Sequence, residues 1–101
     1  MKIGEIIKFL KEKRTFLKEK FAIKEIGVFG SYSKGEEKDI SDIDVYVVFD
    51  MEALTFDKYL SLIEFLENSF GKKIDLITKD GLESIRIPEI KKEIKESIIY
   101  A

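Results

Sequence analysis

The 101-residue chain is 45% hydrophobic and 38% charged, which predicts one soluble globular domain over residues 1–101 and leaves no room for a second, substrate-binding domain. Its net charge of −2 gives no general attraction to nucleic acid or to an anionic membrane. The chain has no Cys and no His, so any chemistry must use carboxylates, hydroxyls, lysines and a bound metal.

The first predicted element is an amphipathic helix from residue 2 to about residue 20, because apolar side chains recur at helical spacing among Lys and Glu. We interpret it as a cover for one face of a sheet. Glutamates interleave its lysines, which argues against a nucleic-acid patch. A first strand is predicted over residues 24–29. The apolar stripe of the helix consists of Ile3, Ile6, Ile7, Leu10, Leu17 and Phe21.

Residues 31–41 are too polar for a core and are predicted to form an exposed loop, after which a second strand runs from Ile43 to Phe49. Thr55 or Asp57 is predicted to cap a helix that continues to Phe70, and Gly71 is well placed to end it. The buried side of this helix is predicted to consist of Phe56, Tyr59, Leu60, Ile63, Leu66 and Phe70.

A third strand is predicted over residues 72–78, where Asp75 is a charge inside an apolar run. Such a charge is seldom tolerated in a core unless it is paired or metal-bound, so Asp75 is either a metal ligand or a strand-edge residue that faces solvent. Residues 79–81 form a turn into a short segment around 82–85. Pro88 then opens a final helix. The apolar side of that helix is predicted to consist of Ile90, Ile94, Ile98 and Ile99.

These elements predict an α/β (α+β) fold, a small mixed β-sheet with helices packed mainly on one face. The residues with chemical potential lie between the first two strands. Asp42 and Asp44 are two residues apart at the start of strand two, so they project from the same face. Adjacent carboxylates repel unless a cation lies between them, and carboxylate oxygens suit Mg²⁺. The Gly30-Ser31 turn offers free N–H groups and a hydroxyl to a phosphate.

Aspartates are common in turns, so D-x-D alone is weak support for a metal site. An EF-hand loop starting at Asp39 would need Gly and Glu where the chain has Asp44 and Asp50. No Walker-type P-loop follows Gly30, and a Ser31 nucleophile would lack a histidine base. The apolar run follows the aspartate pair, unlike the order in haloacid-dehalogenase phosphatases, and D-x-D glycosyltransferases need a much larger domain. Gly30-Ser31 is therefore interpreted as a phosphate cradle.

Gly30-Ser31, ten intervening residues and Asp42-Ile43-Asp44 resemble the G-S-x10-D-x-D signature of the DNA polymerase beta-like nucleotidyltransferases. The fuller pattern, G-S-x-A-R-G-x5-S-D-x-D, has Ser33 in place of Ala and Lys34 in place of Arg, a point charge instead of a planar fork. In so short a chain the pattern resembles the minimal nucleotidyltransferase (MNT) family, antitoxins of HEPN-domain toxins. The matching positions are Gly30, Ser31, Gly35, Ser41, Asp42 and Asp44.

The resemblance implies transfer of AMP from ATP to a hydroxyl, with loss of pyrophosphate. The acceptor it implies is a tyrosine of a partner HEPN toxin, with the chain acting as the antitoxin. Asp42, Asp44 and Asp75 would be catalytic and would hold two Mg²⁺ ions. Asp75 would also take the proton. The nucleotide-binding residues would be Gly30, Ser31, Lys34 and Ser41.

Two alternatives stay open from sequence. One is a non-catalytic antitoxin that neutralises its partner by contact; the other is a nucleotidyltransferase that acts on a small molecule. Relatives of the second kind carry an extra acceptor domain, so the length favours a protein acceptor. We expect a cytoplasmic protein in a homo- or hetero-oligomer, with no membrane or direct nucleic-acid contact, since neither a membrane span nor a signal peptide is recognisable. The abundance of Lys, Glu and Ile without Gln resembles proteins of hyperthermophiles.

Overall fold

The structure, a computed structural model, describes all of residues 1–101 as six helices and four strands. None of the six helices combines the length and the apolar character needed to cross a bilayer. The elements in chain order are α1 (Ile3–Glu12), α2 (Arg14–Phe21), β1 (Ile23–Phe29), α3 (Gly30–Lys34), β2 (Ile43–Phe49), α4 (Phe56–Phe70), β3 (Ile74–Thr78), α5 (Lys79–Glu83), α6 (Pro88–Ser97) and β4 (Ile99–Tyr100).

The four strands form one mixed sheet in the order β3-β2-β1-β4. β1 is antiparallel to its neighbours β2 and β4, whereas β2 and β3 are parallel. A parallel pair needs a crossover connection between its strands, and α4 supplies it. The predicted α/β fold with a small mixed sheet is confirmed.

The core lies between one face of this sheet and the helices α1, α2 and α4. On β2 the fully buried residues Ile43, Val45 and Val47 alternate with residues that face the other side. Burial of each such side chain contributes roughly 1.5–3 kcal/mol, so the alternation fixes which residues of β2 point away from the helices. The buried cluster consists of Ile6, Leu10, Leu17, Phe21, Ile23, Ile26, Val28, Tyr32, Ile43, Val45, Val47, Phe49, Leu62, Leu66, Phe70 and Ile74.

The N-terminal segment is two helices, and the predicted single helix over residues 2–20 is wrong. Lys13 separates α1 from α2 with φ −96° and ψ 8°. Lys13 and Arg14 stand where a continuous apolar stripe between Leu10 and Leu17 would need a hydrophobic residue. The break lets both leucines reach the core, and each is 1% exposed or less.

The ends of α4 are as predicted. The hydroxyl of Thr55 accepts a hydrogen bond from the N–H of Lys58 at 3.2 Å, which satisfies one of the free donors of the first turn. Gly71 ends the helix in the left-handed region with φ 64°, which glycine adopts without a Cβ penalty.

The buried stripe of α4 differs from the prediction. Leu62 is fully buried although it was not predicted to be, whereas Phe56 and Leu60 are 73% and 48% exposed. Leu62, Leu66 and Phe70 recur every four residues and therefore lie above one another on one face. Leu60 is two residues from Leu62, about 200° around the helix, so Phe56 and Leu60 lie on the opposite face of α4.

Two segments predicted as a loop and a turn form short helices. In α3, Tyr32 is 2% exposed and belongs to the core, so the prediction of an exposed loop is wrong for residues 31–34. One helical turn after Gly30 aims this side chain back at the sheet. In α5, the Thr78 hydroxyl accepts from the N–H of Gly81 at 3.0 Å and caps the helix.

The chain ends in an element that the sequence did not predict. α6 begins at Pro88 as expected but ends at Ser97, so Ile98 and Ile99 do not belong to the apolar side of the helix, and Ile99 belongs to β4. β4 pairs with the edge of β1 through Gly27–Tyr100 and Val28–Ile99. A strand of two residues is too short to show the period-two pattern by which strands are recognised.

Candidate active site

Asp44 and Asp75 lie next to each other on the sheet face that points away from the core. They are register partners in the parallel pair of β2 and β3. The preceding pair, Ile43 and Ile74, is buried among the helices, so the aspartates one residue later face the opposite side. Neighbouring strands are about 4.8 Å apart, and this spacing brings the two carboxylates into one site.

Asp42 joins this site from the loop immediately before β2. Burial raises the pKa of the Asp44 carboxyl to about 6, and the charges of Asp75 and then Asp42 add to the rise. The three predicted carboxylates therefore share one electrostatic neighbourhood. A group of like charges with an elevated pKa is the arrangement that a bound cation relieves.

Of the two settings predicted for Asp75, the structure shows the strand edge that faces solvent, while its role as a metal ligand stays a prediction. Its strand is at the edge of the sheet, and Asp75 is exposed instead of lying in a buried run. As the side chains stand, no three acidic groups converge closely enough to form one metal-binding cluster. The donor set still has the chemistry that Mg²⁺ prefers, hard oxygen ligands with waters and substrate phosphates completing the shell.

Gly30 forms the wall of the site opposite β3. Its φ of +71° is in the left-handed region, and a Cβ added to it would overlap Oδ2 of Asp44 and lie 3.0 Å from Cγ. Only glycine lets the chain leave β1 this close to the carboxylate. Ser31 follows in the first turn of α3 and is half-buried. The phosphate cradle predicted at Gly30 and Ser31 thus adjoins Asp44.

The other two predicted nucleotide-binding residues have partners within the chain. Lys34, at the end of α3, forms an ion pair with Glu93 of α6, with 2.6 Å between Nζ and Oε1. The hydroxyl of Ser41 accepts a hydrogen bond from the N–H of Lys38 at 2.8 Å, which closes a turn just before Asp42. Ser41 therefore shapes the loop that delivers Asp42 to the site.

The carboxylates lie outside the largest cavity of the chain, with Asp75 exposed and Asp42 and Asp44 half-buried. That cavity, about 650 Å³, is at the opposite end of β1 and β2, where Arg14, Lys18, Lys24 and Lys58 are among its lining residues. It contains none of the predicted site residues. A site with an exposed carboxylate at its edge must be closed by its substrates before it can exclude water.

Helix α6 contributes polar groups to this site, which the sequence did not indicate. Besides the Glu93–Lys34 pair, the N–H of Gly30 donates to the hydroxyl of Ser97 at 3.4 Å. Glu93 and Ser97 are four residues apart and therefore share a helix face. The four-residue spacing is visible in the sequence, but which element that helix face contacts depends on tertiary packing.

The fold and these residues define a nucleotidyltransferase: a mixed sheet that presents strand aspartates beside a Gly-Ser turn. The chain belongs to the nucleotidyltransferase domain family, whose model matches residues 10–101. The prediction that the chain is a nucleotidyltransferase enzyme is confirmed.

Known proteins resemble the chain over nearly its full length. A Methanocaldococcus jannaschii protein, provisionally named a protein adenylyltransferase, is 46% identical over 99 residues, covering 97% of this chain and 96% of its own. A provisionally assigned minimal nucleotidyltransferase has a similar structure, with a TM-score of 0.73, 25% identity and coverage of 98% and 95% of the two chains. A toxin-antitoxin complex with AMP-PNP contains a chain with a TM-score of 0.62 and 23% identity, over 89% of this chain and 70% of that one.

Proposed function

We propose that the chain is a Mg²⁺-dependent protein adenylyltransferase that moves AMP from ATP to a tyrosine hydroxyl of a partner HEPN toxin, and so acts as the antitoxin of that pair. The observation that carries the proposal is the Asp44–Asp75 pair on the sheet face away from the core, with the pKa of Asp44 raised to about 6 beside Gly30. A perturbed carboxylate next to a Gly-Ser turn is suited to binding cations and phosphates together.

Asp42, Asp44 and Asp75 are the residues that would hold Mg²⁺, since their oxygens are hard ligands and their mutual repulsion favours a cation. Two such ions, when bound, polarise the α-phosphate and lower the pKa of the attacking hydroxyl. Asp42 and Asp44 would hold the metal on the side of the triphosphate, and Asp75 would hold it on the side of the acceptor hydroxyl.

The remaining steps fall to groups of the chain. The N–H groups of the Gly30-Ser31 turn and the Ser31 hydroxyl hold the terminal phosphates, and Lys34 adds a positive charge. Asp75, exposed at the sheet edge, accepts the proton of the incoming hydroxyl. The acceptor oxygen then forms a bond to the α-phosphorus while the bond from that phosphorus to pyrophosphate breaks.

A protein acceptor is favoured by the exposure of Asp75 at the sheet edge. Asp75 is on an edge strand, and the largest cavity of the chain lies elsewhere, so the acceptor hydroxyl can arrive on a bulky surface instead of entering a pocket. The name of the M. jannaschii relative and the toxin-antitoxin complex with AMP-PNP support the same substrate pair.

Thermal unfolding with the non-hydrolysable donor AMP-PNP tests the site, and label transfer tests the reaction. At about 100 times Kd, AMP-PNP with Mg²⁺ should stabilise the protein by about 2.7 kcal/mol through mass action. The Asp42→Asn, Asp44→Asn double variant should stay folded and lose this shift. Transfer of ³²P from α-labelled ATP to a co-purified HEPN-domain partner should disappear in the same variant. An unlabelled partner that is still neutralised would contradict the proposed reaction and favour an antitoxin that acts by contact alone.

A further inference from the structure

Helix α6 holds groups in the phosphate cradle that a nucleotide would need. The Nζ of Lys34 is 2.6 Å from Oε1 of Glu93, and the N–H of Gly30 donates to the hydroxyl of Ser97. Gly30 and Lys34 are two of the four residues that are predicted to bind the nucleotide. In the free chain, both are therefore already engaged by one face of α6.

The Lys34–Glu93 pair is electrostatically matched but exposed. Glu93 raises the pKa of Lys34, first through the hydrogen bond, and Lys34 lowers the pKa of Glu93 in return. The side chains of Lys34 and Glu93 are 36% and 64% exposed, so the pair is screened by water and salt. Such a pair is strong enough to orient Lys34 and weak enough for a triphosphate to replace.

α6 has no fully buried residue, and three ion pairs connect it to α3 and α5. Lys91 and Lys95 both pair with Glu83 of α5, at 3.0 and 2.8 Å, in addition to the Glu93–Lys34 pair. Ile90, on the same row as Glu93, is 45% exposed. The two ion pairs with Glu83 do not involve Glu93, so they remain when Glu93 releases Lys34.

We propose that Glu93 is a built-in competitor for the nucleotide: its carboxylate occupies Lys34 in the free protein, and the phosphates of the donor must displace it. The inference rests on the proposed function, because it takes Lys34 as a phosphate-binding group. It assigns α6 the role of a self-inhibiting element whose ion pair opens when a polyphosphate anion binds. The sign of the effect separates this role from a structural one, since loss of a positioning residue would weaken nucleotide binding and loss of a competitor tightens it.

The test is a calorimetric titration of the full chain with AMP-PNP and Mg²⁺. Glu93→Gln keeps the size and the helix propensity of the side chain but removes the charge. It should bind AMP-PNP about 1.5- to 5-fold more tightly than the parent, as expected for loss of an exposed ion pair. The matched control is Glu96→Gln on the same helix, whose carboxylate pairs only with Lys92 at 3.8 Å. This control should leave the affinity unchanged.

Two further measurements tie the effect to Lys34. In a Lys34→Met background the gain from Glu93→Gln should shrink, and at high salt it should shrink in the otherwise unchanged chain. Equal or weaker binding by Glu93→Gln would overturn the inference and leave the proposed function intact. Absence of AMP-PNP binding by every protein, the parent included, would overturn the proposed function and the inference with it.

Discussion

The backbone of Gly30 lies against the carboxylate of Asp44, with no room between them for a methyl group. Gly30→Ala should therefore both strain the backbone, at φ +71°, and push Asp44 out of the site. Gly35→Ala is the matched control, since Gly35 has φ +70° but nothing within 4 Å of an added Cβ.

Denaturant unfolding measures the difference between these two variants. Gly35→Ala should lower the free energy of unfolding by about 1–2 kcal/mol, the cost of a left-handed alanine. Gly30→Ala should lower it by more and should abolish the stabilisation by AMP-PNP and Mg²⁺. An equal decrease in the free energy of unfolding for both variants would contradict the prediction, because it would mean that a methyl group at position 30 does not disturb Asp44.

The pKa of Asp44 predicts a pH dependence of stability in the absence of divalent metal. Folding raises this pKa from 3.8 to about 6, first through burial and then through Asp75 and Asp42. The folded state therefore holds the proton more tightly than the unfolded state. No penalty exists below about pH 4, and the penalty grows as the pH rises through 6.

Asp44→Asn removes the group that carries this penalty. The variant should equal the parent in unfolding free energy near pH 3.5 and exceed it at pH 7–8. Asp39→Asn, in the exposed loop before Asp42, should not reproduce this crossover. Binding of Mg²⁺ should weaken below about pH 6, because the metal requires the ionised carboxylate. A parent that is more stable than Asp44→Asn at pH 8 without metal would contradict the prediction.

Asp75→Asn should remove AMP transfer while largely sparing AMP-PNP binding, because Asp42 and Asp44 remain for the triphosphate side. It should also lower the pKa of Asp44, since the charge of Asp75 contributes to the rise. Asp80→Asn, an exposed residue of α5, is the control for a general loss of negative charge. An assay of AMP transfer measures the first effect, and NMR titration of the Asp44 carboxyl measures the second. Unchanged transfer would leave Asp75 a solvent-facing residue of the sheet edge.

Ser31→Ala tests whether the hydroxyl is a phosphate ligand or a nucleophile. Loss of a hydrogen bond to a charged group should weaken AMP-PNP binding by about 1.5–3 kcal/mol and leave measurable transfer. Ser61→Ala, on the exposed side of α4, should change neither quantity. Mass spectrometry of the chain after incubation with ATP tests the nucleophile role directly. An AMP adduct on Ser31 would indicate covalent catalysis and contradict the role of the hydroxyl as a phosphate ligand.

The strands that carry the site were predictable because their patterns are local. β2 was predicted with the observed bounds, but it begins after Asp42, so the strand alternation places Asp44 and not Asp42 on the face away from the core. The partnership of Asp44 with Asp75 depends on a strand pairing between segments about 30 residues apart. The sequence pointed to Asp75 because a charge stands among apolar neighbours and would need a partner if the strand were buried. The strand lies at the edge of the sheet, however, where water solvates the carboxylate without a partner.

The fold predictions that were wrong concern features that tertiary contacts decide. Tyr32 was predicted to lie in an exposed loop because its neighbours are polar, but one turn of α3 places it in the core. β4 exists because β1 offers a free edge near Gly27, where a Cβ would approach Ile98 Cγ2 to 2.7 Å. The contacts of Glu93 and Ser97 with the cradle have the same origin, since a helix face shows its polarity in sequence but not its partner.

The parallel pairing of β2 with β3 also determines where this chain can change its length. One residue inserted within either strand would exchange its two faces, sending a carboxylate toward the helices and an isoleucine into water. Residues 50–55 connect β2 to α4 outside the sheet, so extra length there leaves the pairing of Asp44 with Asp75 untouched. Homologues and engineered variants should therefore differ in length at this connection and keep constant both the spacing within the strands and the ten residues between Ser31 and Asp42.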